Sequence, residues 1–108
     1  MFLLLFFLAT LSHEPLRVGG DVKTPVVIKR VAPVFPECKP EEISGLVIFD
    51  IVIDENGDVL SAEAIEHVKP CVEKGVSAAL MQWKFKPGTL HGEPVPVIFT
   101  VAVKVGVK

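Results

Sequence analysis

The stretch "GLVIFDIVIDENGDVLSAEAIEHV", residues 45–68, constrains this chain more than any other. Side chains alternate along an extended strand, so Val47, Phe49, Ile51 and Ile53 share one face and Leu46, Ile48, Asp50 and Val52 the other. Asp50 marks the second face as the wetter one, and the first is expected to face a core. Asn56-Gly57 then separates two apolar runs; both residues tolerate positive φ, which predicts a hairpin. The return strand is expected to turn Leu60, Ala62, Ala64 and Val68 inward.

Pro70 follows, at a position where a helix loses nothing by its missing N–H. Val72, Val76, Ala79, Leu80 and Trp83 recur at helical spacing and form one apolar stripe. Gly75 interrupts it, at a cost of about 1 kcal/mol relative to alanine. Beyond Trp83 the period changes: Trp83 and Phe85 alternate with Lys84 and Lys86 until Pro87. The only tryptophan thus sits where helix hands over to extended chain, and Trp83 with Phe85 is expected to anchor that junction to the sheet. The turn "PGTLHGEP" leads into a last strand that aligns Val95, Val97, Phe99, Val101, Val103 and Val105.

The helical crossover makes the second hairpin strand and the last strand parallel, so they cannot be hairpin neighbours. The simplest order puts strand 46–53 in the centre and strand 95–105 at an edge, where Pro96 is tolerated. "PVVIKRV", 25–31, reads as a peripheral strand, and "LRVGGDVKTP", 16–25, as a linker or arm. Prolines 33, 36 and 40 allow only a short helix before residue 45, with Pro40, Glu41 and Glu42 suited to its first turn. The expected fold is α+β: an antiparallel three- to four-stranded sheet with two helices packed on one face.

With 108 residues, half of them apolar, and a net charge of −2, the chain is a single packed domain rather than a disordered segment. Its eleven basic residues form no stripe that could follow a line of phosphates, which argues against nucleic acid. "MFLLLFFLATLS" is too short to span a bilayer and reads as a secretory signal or short hydrophobic leader. The division is therefore leader 1–12, arm or peripheral strand 13–30, and folded domain 31–108. Export makes a Cys38–Cys71 disulfide the default expectation. The hairpin returns the chain to the level where the central strand began, bringing Cys71 beside the short segment that carries Cys38.

Catalytic chemistry has little support. His13, His67 and His91 share no spacing, and Cys38, His67 and Cys71 lack a zinc-ligand pattern. "DENGD" misses the glycine and glutamate positions of a calcium loop. Ser44, Ser61 and Ser77 have no nucleophile-elbow setting, and Gly19-Gly20 no phosphate-loop setting. The chain is read as a non-enzyme with no metal, cofactor or small-molecule substrate. The informative feature is the long valine-rich edge. Either it is protected, for example by strand 25–31, or it accepts an extended partner segment through main-chain hydrogen bonds.

Pro33-Val34-Phe35-Pro36, Gly45-Leu46-Val47, Asp54-Glu55-Asn56-Gly57-Asp58-Val59, Ala78-Ala79-Leu80 through Trp83-Lys84-Phe85-Lys86-Pro87, and Gly92-Glu93-Pro94-Val95 occur in that order. Together they resemble the TonB C-terminal domain family across about residues 17–107. The resemblance implies a periplasmic adaptor that binds the TonB box of an outer-membrane transporter as an added strand, in support of energy-dependent transport. It implies a partner-binding surface at Val97, Ile98, Phe99, Thr100, Val101, Ala102 and Val103, with Pro33, Phe35 and Pro36 near it. Ala32 stands where the family often has glutamine, and Phe35 where it often has tyrosine. The alternative is a domain that self-associates through its edges as a homodimer, or a fragment split from a longer energy transducer.

Overall fold

The alternating run at residues 44–53 forms the spine of the fold in a computed structural model that describes residues 14–66 and 68–106. The leader 1–12 and His67 lie outside the described residues. In chain order the strands are β1 (Leu16–Arg17), β2 (Val22–Lys23), β3 (Val26–Lys29), β4 (Ser44–Ile53) and β5 (Val59–Ala64). Helix α1 (Pro70–Leu80) follows, then β6 (Lys84–Lys86), β7 (Thr89–Leu90), β8 (Glu93–Pro94) and β9 (Val97–Gly106). The main sheet has the order β1-β9-β4-β5. Strand β4 lies between β9 and β5 and pairs antiparallel with both, without a register break along β9 from Ser44↔Gly106 to Ile53↔Val97.

Phe49, Ile51, Ile53, Val76, Leu80 and Val97 are fully buried, so the core lies between α1 and the Val47 face of β4. Pro70 occupies the start of α1, and Val72, Val76, Ala79 and Leu80 are its buried positions. Gly75 has a packing reason: a Cβ there would stand 2.5 Å from Phe35 Cδ1 and 2.6 Å from the Val34 carbonyl oxygen. The segment before β4 therefore lies directly on the helix.

Three expectations need correction. The fold is α+β, but it has one α-helix among the described residues, not two. The prolines at 36 and 40 leave only a three-residue 3-10 turn, Pro40–Glu42, where Lys39 N–H donates to Glu42 Oε1 at 2.8 Å. The main sheet is also not purely antiparallel, because β1 joins β9 in parallel. Two smaller antiparallel sheets, β2-β7-β8 and β3-β6, accompany it.

The third correction concerns the hairpin. A register shift between Val52 and Ile53 turns Val59 into the core and leaves Leu60 outside, 57 % exposed. Asp54 organises the turn: its Oδ1 accepts N–H bonds from Asn56 and Asp58, each at 2.9 Å. Gly57 has φ +87°, whereas Asn56 is not in the positive-φ region. The Gly57 carbonyl accepts the Phe85 N–H at 2.9 Å, so the turn also docks against β6. The hairpin loop with positive φ at both residues is His91-Gly92, between β7 and β8.

No helix among the described residues is long and apolar enough to cross a membrane.

Candidate functional site

Strand β9 pairs with β4 along its whole length on one side, but on the other side with β1 only beside Val97 and Ile98. The backbone directions follow from two hydrogen bonds. The Pro96 carbonyl accepts the Leu16 N–H at 3.1 Å, so Pro96 faces outward toward β1. The Ile48 carbonyl accepts the Ile65 N–H at 2.9 Å, so the even positions of β4 face β5 and its odd positions face β9. Since the direction alternates along a strand, Phe99, Val101 and Val103 bond to β4. Thr100, Ala102 and Lys104 point their N–H and C=O groups away from the sheet, with no strand beside them among the described residues.

Strand β3 does not cover this edge. It pairs with β6, Val27 opposite Phe85, and so corrects the expectation that strand 25–31 might protect β9. A groove of about 460 Å³ remains between them, lined by Phe99, Thr100, Val101 and Ala102 on one side and by Pro25, Val26, Val27, Arg30, Trp83 and Phe85 on the other. Phe85 is buried and meets Phe99 edge-on with ring centroids 6.1 Å apart. Trp83 lies 6.1 Å from Phe85 and donates its indole N–H to the Val31 carbonyl at 3.0 Å. The indole is only half-buried, so it forms groove wall as well as helix stop. The Arg30 guanidinium sits 5.5 Å from the centre of the indole.

On the opposite face of the sheet, Asp50 ties the start of the edge together. Arg17 Nη2 donates to Asp50 Oδ2 at 2.8 Å, and Thr100 Oγ1 donates to Oδ1 at 2.6 Å. These bonds, the Arg17 one foremost, hold the Asp50 carboxyl below the usual carboxylate range. The pair links β1 to the sheet and ends its coverage where the open stretch begins. Sequence reading missed both β1 and this contact, because two residues are too few to show an alternation.

Other expected site residues lie elsewhere. Phe35 packs on α1 over Gly75, and Pro36 lines a small apolar recess of about 170 Å³ with Val34, Gly75 and Ala78. None of Pro33, Phe35 and Pro36 lines the groove beside β9. Cys38 and Cys71 are joined in a disulfide that fastens this segment to the first turn of α1. Glu42 lies against it, forming the one cluster of metal-ligating residue types among the described residues. Bonded sulfurs carry no thiolate charge, so that cluster is not a competent metal donor set.

The family profile described as Gram-negative bacterial TonB protein C-terminal matches residues 31–104. The chain belongs to the TonB C-terminal domain family. No curated protein matches it significantly. TonB C-terminal domains are protein-interaction modules of the Gram-negative envelope, not an enzyme family. In this TonB domain the groove lining offers backbone, apolar and aromatic surface and one cation.

Proposed function

We propose that this TonB-like domain is a periplasmic adaptor that takes up an extended segment of an envelope protein by strand addition along β9. The segment is the TonB box of an outer-membrane transporter, and the binding supports energy-dependent transport. Residues 1–12 act as the export leader. The observation that carries the reading is the open stretch of β9: Thr100, Ala102 and Lys104 present outward backbone groups beside an apolar groove with room for the guest's alternate side chains. Backbone pairing supplies affinity, and the surface of Trp83, Phe99 and Val101 selects side chains. The Val31 carbonyl, just ahead of the Pro33–Pro36 stretch, holds Trp83 in the groove wall.

The test exploits the alternation of the strand. Thr100→Pro removes an outward donor and obstructs a new strand while leaving the backbone bonds to β4 in place; it also removes the hydroxyl bonded to Asp50, a loss that Thr100→Ala reproduces without touching the donor. Val101→Pro removes a donor to β4 and should destabilise the fold. Wild-type protein and Thr100→Ala mixed with envelope extract should retain an outer-membrane protein, and Thr100→Pro should lose it at a melting temperature close to that of Thr100→Ala. Undiminished capture by Thr100→Pro would refute strand addition at this edge.

A further inference from the structure

Strand β1 does at the start of β9 what a guest would do further along it. Leu16 and Arg17 lie parallel to Val97 and Ile98, and the Leu16 N–H donates to the outward Pro96 carbonyl at 3.1 Å. In a parallel ladder the Leu16 carbonyl then faces the Ile98 N–H. Of the β9 positions whose backbone points outward, Pro96 and Ile98 are therefore taken by the chain itself, and Thr100, Ala102 and Lys104 are not. The occupant is lightly held. Both residues of β1 are exposed, and it is the first strand among the described residues. Beyond its backbone pairing, β1 is fastened by the Arg17–Asp50 ion pair, in which the Arg17 side chain is 63 % exposed. Pairs this exposed hold weakly. Val18, by contrast, packs against the core, and Gly19 and Val22 exchange backbone bonds at 3.0 and 2.9 Å. The segment that can lift away therefore ends at Arg17.

We propose that β1 is a displaceable strap: it occupies the head of the β9 edge in place of a guest, and a guest long enough to reach Pro96 peels it off. The proposal rests on the strand-addition reading and adds a regulation to it. A guest confined to residues 100–104 meets no competitor. One that continues to Pro96 needs the same carbonyl and N–H that Leu16 engages, and that side of β9 has room for one neighbouring strand. The exchange replaces one ladder by another, so the Arg17–Asp50 contact weighs directly in the balance. Asp50 also accepts the Thr100 hydroxyl at 2.6 Å, which ties the strap's fastening to a residue of the open stretch. The strap thus lowers affinity for long segments alone, and loosening its fastening restores it.

The probes are two synthetic peptides of alternating valine and serine, one of five residues and one of nine. They are titrated into the isotope-labelled protein and read from amide shifts and hydrogen exchange. At saturation with the longer peptide the Leu16 amide should lose its protection while the Ile98 amide keeps its own. With the shorter peptide both should stay protected. Arg17→Ala should tighten the longer peptide about threefold, within the worth of an exposed ion pair, and leave the shorter one unchanged. Leu16→Pro, which removes the N–H bonded to Pro96, should act in the same direction. Melting temperatures near that of the wild type confirm the fold of both variants. Where Thr100, Ala102 and Lys104 shift, a Leu16 amide still protected at saturating long peptide, or equal affinity of wild type and both variants for it, overturns the strap alone. Failure of both peptides to shift those three amides overturns strand addition and the strap together.

Discussion

Gly75 shows how a residue that looks like a local weakness answers to packing. Alanine would gain about 1 kcal/mol of helix propensity at this position. Its Cβ would also fall 2.5 Å from the Phe35 ring and 2.6 Å from the Val34 carbonyl oxygen, and the latter is backbone that cannot swing aside. The steric term wins. Gly75→Ala should destabilise the domain by about 1–3 kcal/mol, seen as a lower urea midpoint at unchanged slope. An unchanged or raised midpoint would mean that the 33–36 segment does not rest on α1. The glycine was visible in sequence as a flaw in the helix, but its reason was not, because nothing local indicates that Phe35 lies across it. Trp83 was more legible: the change of period at residue 83 placed it at the helix-to-strand junction. Its half-exposed face and its partner Arg30 depend on the path of β3 and could not be read from spacing.

The elements divide by length. Strands β4 and β9 and helix α1 are long enough to show a period, and all three stand where alternation and the apolar stripe put them. The two-residue strands β1, β2, β7 and β8 carry no period, and so the parallel β1–β9 contact and the small sheet β2-β7-β8 were illegible. The expected second helix is absent for a reason present in the sequence: prolines at 33, 36 and 40 leave a single 3-10 turn. That irregular segment instead gains its order from the Cys38–Cys71 disulfide, whose two cysteines are separated by 33 positions. Closing such a loop constrains the unfolded chain by up to about 3–4 kcal/mol in the chain-entropy treatment. Paired Cys38→Ser and Cys71→Ser substitutions, or a reductant, should lower unfolding free energy by an amount up to that value. Urea unfolding with and without reductant measures it, and coincident curves would contradict a role for the bridge in holding the segment.

At the scale of the whole molecule, the main sheet ends in β5 on one side and, beyond the two residues of β1, in β9 on the other. Strand β3, the strand best placed in sequence to cover β9, pairs with β6 instead. The result is a ten-residue strand with a short cap, β1, tied down through Arg17 and Asp50, and an open stretch beyond it. That β9 would be an edge was legible from the topology of a helical crossover; that its stretch 99–102 would border an aromatic groove was not, since the groove is made by residues distant in sequence. The central claim is that Thr100, Ala102 and Lys104 are free to pair with a guest. Amide hydrogen exchange of the isotope-labelled protein, alone and with a captured transporter segment, tests it most directly. The account predicts that alone these three amides exchange freely while Phe99, Val101 and Val103 are protected, and that the guest slows the three. Protection of all six without a guest, or continued free exchange of the three at saturating guest, would contradict it.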